Sequence, residues 1–202
     1  MLIIAPLVIV AYLVGSIPFG VIVGRVRGFD PRAVGSGNIG MSNVARAGGT
    51  TAAALTFLGD VLKGAVPVVA AIWLGFGANA VLLAALAAFL GSISSVFLGF
   101  RGGKGVSAAL GVWIVLAPLA VPFALAAFGI AVATTRIMSV ASMSAAIVIP
   151  AAVAILGFPR PYVLLAIVIT ALVVFRHKEN IARLLRGEEP VFRAAKSGGT
   201  PA

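Results

Sequence analysis

Cysteine is absent from this 202-residue chain, and histidine occurs only once. The lack of cysteine excludes a disulfide framework, thiolate metal ligands and a cysteine nucleophile. One histidine and a few scattered carboxylates make no cluster of metal ligands. We therefore expect neither a metal nor another cofactor.

Charged residues are also scarce, at 10% of the chain against 61% hydrophobic residues. About a quarter of a typical soluble domain is charged, so too little polar surface is available here to cover a water-soluble globule. We predict an all-α integral membrane protein with one polytopic domain over residues 1–192. Residues 193–202 are rich in Gly, Ala and Ser and are predicted to form a disordered cytoplasmic tail.

Acidic residues number only five, against fifteen Lys and Arg, which gives a formal charge of +10. The basic residues lie almost entirely at the ends of apolar runs, as cytoplasmic loops do under the positive-inside rule. Membrane lipids with anionic headgroups, or anionic substrates, are therefore expected as partners rather than nucleic acid.

Apolar runs cover residues 2–23, 51–74, 80–98, 106–135, 137–158 and 162–175. The first run lacks a basic leader and a clear cleavage site, so we expect it to be retained as a span. The run 106–135 is too long for one ordinary span and too short for two full ones, and Pro118 and Pro122 interrupt its middle.

This run forms either one long tilted helix or a hairpin of two short helices. The hairpin places the basic loops on one side of the membrane, so the positive-inside rule favours it. We predict about seven transmembrane segments, two of them short, with the N-terminus outside and the C-terminus cytoplasmic. Ile181, Leu184 and Leu185 recur at helical spacing after the last span and predict a short amphipathic helix at the interface.

The polar stretch from Gly35 to Asn43 predicts a phosphate site. Its glycines permit a nest in which consecutive backbone N–H groups point into one concavity, and Arg46 follows closely. The alternative is a flexible loop. The phosphate-binding residues expected here are Ser36, Gly37, Asn38, Gly40, Ser42 and Asn43.

A second glycine-rich loop, with Gly102, Gly103, Lys104 and Gly105, joins a span to the following helix. It lacks the spacing of a nucleotide-binding phosphate loop, but Lys104 suits a phosphate as a point charge. Alternatively, its basic residues only anchor helix ends at the headgroups.

Three further sets of polar residues fall at helical spacing. His177 and Asn180 are three residues apart and would share a helix face. Ser139 and Ser142 would either line a polar pocket or only permit close helix packing. Asp60 and Lys63 lie inside a span, where a mutual ion pair is at least as plausible as a catalytic role.

These motifs together resemble the acyl-phosphate-dependent glycerol-3-phosphate acyltransferase family of bacterial inner membranes, in the same order and over essentially the whole chain. The matching segments are Gly15-Ser-Ile-Pro-Phe-Gly20, Gly35–Asn43 with Arg46, Gly59-Asp-Val-Leu-Lys-Gly64, Phe100-Arg-Gly-Gly-Lys-Gly-Val106, Arg136 with Ser139 and Ser142, and Arg176-His-Lys-Glu-Asn-Ile181.

The resemblance implies a multi-pass protein of the bacterial inner membrane whose active site faces the cytoplasm. It implies transfer of a fatty acyl group from acyl phosphate to the 1-hydroxyl of glycerol 3-phosphate, giving lysophosphatidic acid for phospholipid synthesis. Ser92 stands where the family usually has histidine, and Met41-Ser42 replaces the family's usual Ala-Thr.

We expect the Gly35–Asn43 segment and Lys104 to hold one phosphate, while Arg46, His177 and Asn180 engage the other. His177 could be the general base, or a substrate phosphate could take the proton and leave His177 as a donor. Two other functions remain possible: a transporter of an organic phosphate, and a homologue that binds these substrates without turning them over.

Overall fold

The computed structural model describes residues 4–191, and every regular element in this part of the chain is helical. The predicted tail at residues 193–202 lies outside the described residues. The nine α-helices of residues 4–191 are α1 Ile4–Gly15, α2 Phe19–Val26, α3 Met41–Trp73, α4 Ala78–Ile93, α5 Val106–Leu116, α6 Val121–Thr135, α7 Met138–Ile155, α8 Arg160–Arg176 and α9 Lys178–Leu185.

Each predicted apolar segment corresponds to a helix or to a bent pair of helices. In residues 4–191, four helices are long and apolar enough to cross a membrane, or up to six spans when each bent pair counts as one. The shorter apolar helix α5 adds to these. The prediction of an all-helical protein of the integral membrane class is confirmed.

The first apolar run is not one continuous helix, because α1 and α2 meet at a bend of 41°. Pro18 follows the end of α1 and cannot supply the N–H group that would continue the helix. The second predicted span begins earlier than expected, since α3 starts at Met41. Within α3, a kink at Gly49, where φ is 76°, separates the first helical turns from the long apolar part.

The run 106–135 forms two helices, as predicted, separated by a 3-10 turn at Pro118–Ala120. The chain reverses here, because the start of α5 and the start of α7, just after α6 ends, line the same cavity. The two helices contact each other little; α5 packs chiefly on α3, and α6 on α7.

Small residues bring α3 and α5 into close contact. A Cβ atom on Gly64 would lie 2.1 Å from the carbonyl oxygen of Ala108, and one on Gly111 would lie 2.0 Å from that of Val61. Because lipid is as apolar as a protein core, close backbone packing of this kind drives helix association in a membrane. This contact fixes the start of α5 beside α3.

Candidate functional site

Residues from each of the polar motifs line one cavity of about 680 Å³. All of the predicted site residues line it except Gly37 and Gly102. Most of its remaining wall is apolar and includes Phe57, Trp113, Leu125, Phe128 and Ile169. The cavity therefore joins a charged, hydrogen-bonding end to a long hydrophobic surface.

Asn43 organises the loop that precedes α3. Its side-chain amide donates to the carbonyl oxygens of Pro31, Val34 and Asn38 at 2.7–3.0 Å, and its Oδ1 accepts from the Ser36 N–H at 3.0 Å. The side chain is 2% exposed. We expected Asn43 to donate to phosphate, but its amide is instead used to hold the loop in shape.

Only part of the same loop can form the nest of free N–H groups that the glycines suggest. The N–H groups of Ser36, Gly37 and Gly40 are already bonded within the loop, the last of them to Asn38 Oδ1 at 2.8 Å. The N–H groups of Met41 and Ser42, at the start of α3, have no acceptor among residues 4–191, and the same is true of Gly35, Asn38 and Ile39 in the loop. The N-terminus of α3 therefore adds to the free N–H groups that the loop offers to an anion at the cavity wall.

Arg176 holds the second glycine-rich loop against the end of α8. Its guanidinium donates to the carbonyl oxygens of Gly102 and Gly103 at 2.8 and 3.2 Å. A Cβ atom on Gly102 would lie 2.5 Å from the Ile93 carbonyl carbon, and Gly105 has a φ of 79° that favours glycine. Gly102 and Gly105 therefore permit close packing of the loop, which leaves Lys104 at the cavity.

Lys104 supplies positive charge to the cavity. Partial burial lowers its pKa from 10.5 to about 8, although Glu189 nearby opposes this shift. The ammonium group thus keeps most of its charge at neutral pH. A phosphate in the cavity would restore the lost solvation by pairing with it.

His177 lies directly after the last residue of α8 and is 2% exposed. Its Nδ1 lies 2.8 Å from the carbonyl oxygen of Val173, so Nδ1 must carry the proton that this bond requires. Burial lowers the pKa of His177 to about 4, and Lys104 adds to the effect. The neutral ring then presents Nε2 as an acceptor, rather than as the phosphate donor we expected.

Glu189 is a site residue that we did not predict. Its Oε1 accepts from Ser139 Oγ at 2.7 Å and from Asn180 Nδ2 at 2.5 Å, and its Oε2 pairs with Arg183 Nε at 2.7 Å. Because the chain has only five acidic residues, any of them is a candidate for a role in the site. No sequence pattern, however, predicts that the segment after α9 folds back and brings Glu189 into contact with α7.

The hydroxyl hydrogens of the two predicted serines on α7, Ser139 and Ser142, are already used. Ser139 donates to Glu189, and Ser142 donates to the carbonyl oxygen of Met138 at 2.8 Å. Neither can donate to phosphate in this state, although Ser142 Oγ can still accept a bond. Ser139 instead helps to hold the carboxylate of Glu189.

Asp60 and Lys63 form the ion pair that we considered, with 2.7 Å between Oδ1 and Nζ. Both residues border the cavity and are largely buried. Lys63 also donates to the carbonyl oxygen of Ile17 at 3.1 Å, and Ser95 Oγ donates to that of Ser16 at 2.5 Å. These side chains satisfy the carbonyl groups left free where α1 ends.

Ser92 also borders the cavity and is 3% exposed. Its hydroxyl donates to the Phe89 carbonyl at 2.6 Å, and its own carbonyl accepts from the Gly103 N–H at 3.1 Å. The backbone of Ser92 thus anchors the loop that carries Lys104, whichever side chain is present.

Comparison with known proteins gives consistent results. The family model described as glycerol-3-phosphate acyltransferase matches residues 5–187. The glycerol-3-phosphate acyltransferase of Geobacter sulfurreducens is 50% identical over 185 residues, covering 92% of this chain and 95% of the relative. That of Rubrobacter xylanophilus is 47% identical over 196 residues, covering 96% and 97%.

Two solved structures of an integral membrane glycerol 3-phosphate acyltransferase, PlsY, have the same fold. The glycerol 3-phosphate form has a TM-score of 0.90 and 40% identity, and it covers 94% of this chain and 96% of its own. The lysophosphatidic acid form has a TM-score of 0.88 at the same identity, and it covers 94% and 95%.

Proposed function

Because this chain belongs to the glycerol-3-phosphate acyltransferase family, we propose that it transfers a fatty acyl group from acyl phosphate to the 1-hydroxyl of glycerol 3-phosphate. The products are lysophosphatidic acid and inorganic phosphate. The observation that supports this proposal is the mixed lining of the cavity. Lys104 and the start of α3 border the same space as the apolar side chains of Trp113 and Phe128. A fatty acyl phosphate requires both kinds of surface at once.

The main contribution of the protein is positioning and electrostatic stabilisation, because an acyl phosphate is already activated. We assign phosphate binding to Lys104, Arg46 and the first N–H groups of α3, with Ser42 beside them. Arg46 is exposed and borders the cavity beside the loop at Gly35, where it can reach an incoming anion. The acyl chain occupies the apolar wall.

In the proposed reaction, the 1-hydroxyl oxygen attacks the acyl carbonyl carbon, and the bond from that carbon to the phosphate oxygen breaks. The new bond is a carboxylic ester. The proton of the hydroxyl passes to a phosphate oxygen, so inorganic phosphate leaves with it. His177 Nε2 accepts a hydrogen bond from the attacking hydroxyl and orients it, since a ring with a pKa of about 4 is a weak base at neutral pH.

We place the protein in the bacterial inner membrane, with the cavity mouth on the cytoplasmic side. Arg46, Lys104 and Arg183 line the cavity, and Arg176 donates to the glycine-rich loop that carries Lys104. The positive-inside rule assigns such a basic layer to the cytoplasm, with the N-terminus outside. Accessibility of single introduced cysteines at Gly28 and Gly157 in intact cells would test this orientation, because the chain has no cysteine of its own.

The proposed reaction is tested with the purified protein and labelled glycerol 3-phosphate. Lysophosphatidic acid formed with acyl phosphate but not with acyl-CoA supports the proposed donor. Product formed only with acyl-CoA would contradict it.

The same assay separates the enzyme from a homologue without activity. Absence of product from both donors, in protein shown to be folded, would favour the inactive homologue, and the variant Ser92→His would then be measured. The family match favours the enzyme over an organic phosphate transporter. Uptake of glycerol 3-phosphate into liposomes without acyl donor would contradict that preference.

A further inference from the structure

The orientation of the Asn180 amide is fixed by its partner. Asn180 Nδ2 lies 2.5 Å from Glu189 Oε1, and an ionised carboxylate can only accept hydrogen bonds. The nitrogen of the amide must therefore face Glu189. Its oxygen, Oδ1, must face away from Glu189.

The carboxylate of Glu189 is itself held in place, so its hydrogen bond to the Asn180 amide is maintained. Ser139 on α7 and Arg183 on α9 hold its two oxygens from other directions. Burial raises the pKa of Glu189, but the bonds from Ser139, Asn180 and Arg183 outweigh this effect and lower the pKa below its usual value. The carboxylate is therefore ionised at neutral pH and stays an acceptor.

Asn180 Oδ1 is a buried acceptor without a hydrogen-bond donor among residues 4–191. The side chain is 5% exposed and borders the cavity. Buried polar atoms in folded proteins nearly always have a partner, and at a cavity a bound water or a ligand can provide it. The missing partner must be a donor, which a phosphate dianion does not provide.

A second acceptor at the same cavity is His177 Nε2. His177 and Asn180 lie three residues apart, at the junction of α8 and α9, and both border the cavity. Glycerol 3-phosphate carries two neighbouring hydroxyl groups, and two acceptors three residues apart at one cavity suit such a diol. The attacking 1-hydroxyl is assigned above to His177.

We propose that Glu189 is a positioning residue that orients the Asn180 amide, so that Asn180 Oδ1 accepts a hydrogen bond from the 2-hydroxyl of glycerol 3-phosphate. This inference rests on the function proposed above. It makes Asn180 the residue that distinguishes glycerol 3-phosphate from phosphorylated monoalcohols. It also replaces the expectation that Asn180 engages a phosphate.

The test compares glycerol 3-phosphate with 3-hydroxypropyl phosphate, which keeps the attacking hydroxyl and lacks the 2-hydroxyl. Loss of a bond to a buried acceptor costs the analogue about tenfold in kcat/KM with the wild-type protein. In Glu189→Gln, the new amide can donate to Asn180 Oδ1 and remove it as an acceptor. We expect the preference for glycerol 3-phosphate to fall to about one- to twofold.

Two variants separate positioning from a general loss of folding. Glu188→Gln changes a neighbouring glutamate whose side chain pairs, among the described residues, only with Arg186 at the exposed surface, and it should keep the wild-type preference. The double variant Glu189→Gln/Asn180→Asp lets the introduced carboxylate accept from the introduced amide and keeps a second oxygen for the substrate. It should recover most of the preference.

An unchanged preference in Glu189→Gln, with both substrates slowed equally, would overturn the proposal, because Glu189 would then only support the fold. The same preference lost in Glu188→Gln would also overturn it. If the wild-type protein forms no product with acyl phosphate, the proposed function fails instead. Affinities of the same variants for the two phosphate compounds then test the role of Asn180 without turnover.

Discussion

Lys63 Nζ donates a hydrogen bond to the main-chain carbonyl of Ile17, 3.1 Å away, although 46 positions separate the two residues in the chain. The same ammonium group pairs with Asp60 at 2.7 Å. One buried lysine thus neutralises a carboxylate in a span and satisfies a carbonyl freed by the break before α2. The motif that contains it supports the wall of the cavity.

Replacing Lys63 by Met should reduce the stability of the protein strongly. The change leaves the Asp60 carboxylate without its partner and the Ile17 carbonyl without a donor, and breaking a buried pair costs about 3 kcal/mol. Thermal unfolding of the purified protein in detergent measures the loss.

The exposed pair between Asp30 and Arg32 provides a control for this experiment. Arg32→Met breaks an ion pair of similar geometry at the surface, where such pairs contribute little, and should leave the unfolding temperature nearly unchanged. Equal effects of the two variants would show that burial of the Lys63 pair does not matter.

Asn43→Asp should destabilise the protein more than Asn43→Ala. Alanine removes the bonds that hold the loop before α3, whereas aspartate also places a carboxylate against the carbonyl oxygens of Pro31, Val34 and Asn38. Each buried group left unpaired costs about 1–3 kcal/mol. Thermal unfolding, together with affinity for glycerol 3-phosphate, ranks the two variants.

If Asn43 instead donates to phosphate, both substitutions should weaken substrate binding while leaving the unfolding temperature unchanged. Asn38→Ala is the matched comparison. Asn38 is partly exposed, and among residues 4–191 its side chain makes a single local bond, to the Gly40 N–H. It should cost less stability than either change at position 43.

Affinity for glycerol 3-phosphate should fall as the pH rises through about 8. Burial lowers the pKa of Lys104 to about 8, so its ammonium is charged below that pH and becomes neutral above it. The phosphate ester has a second pKa of about 6 and is already a dianion throughout this range. Equilibrium binding between pH 7 and 9.5 follows the transition, which bound phosphate shifts upward.

The variant Lys104→Arg provides the control for this pH dependence. Arginine stays charged across the range, so the decline near pH 8 should disappear even if absolute affinity changes, because the two cations differ in geometry. Persistence of the same decline in Lys104→Arg would assign it to another group.

The ratio of turnover between the wild-type protein and His177→Gln should stay constant between pH 5.5 and 7.5. Burial lowers the pKa of His177 to about 4, so the ring is neutral over the whole interval. Taking the ratio cancels the ionisation of the substrates. A ratio that changes with a midpoint near 6.5 would show an ordinary, solvent-accessible histidine.

His177→Gln also separates a base from an orienting acceptor. Glutamine offers an amide oxygen to the attacking hydroxyl but cannot take its proton at neutral pH. We expect a loss of about tenfold, the cost of an imperfect hydrogen bond. A loss of several thousandfold would instead identify His177 as an essential general base.

The helical elements and the membrane class could be predicted from the sequence because they depend on local composition. Apolar runs of about twenty residues fit a bilayer, and Pro118 marks a break because it lacks a backbone N–H group. The helix break at Ser16–Pro18 has the same kind of local signal in Pro18. It was not predicted, because the apolar run 2–23 is long enough to form a single span.

The identities of most cavity residues could also be predicted, because few polar residues occur in this chain and each is expensive to bury in a membrane. Lys104, His177 and Asn180 all border the cavity, as does Arg46. Their partners could not be predicted. Asn43 bonds inward to its own loop, and Ser139 bonds to a glutamate 50 positions away.

The sequence by itself determined that the protein is a helical membrane protein and which polar residues it has available for a phosphate site. Only the tertiary structure decided what each of them offers. His177 presents an acceptor because Val173 takes its Nδ1 proton, and Asn180 presents its oxygen because Glu189 takes its nitrogen. Hydrogen-bond roles are set by partners in space, and the approach of α9 and the segment after it to α7 is not encoded in any local pattern.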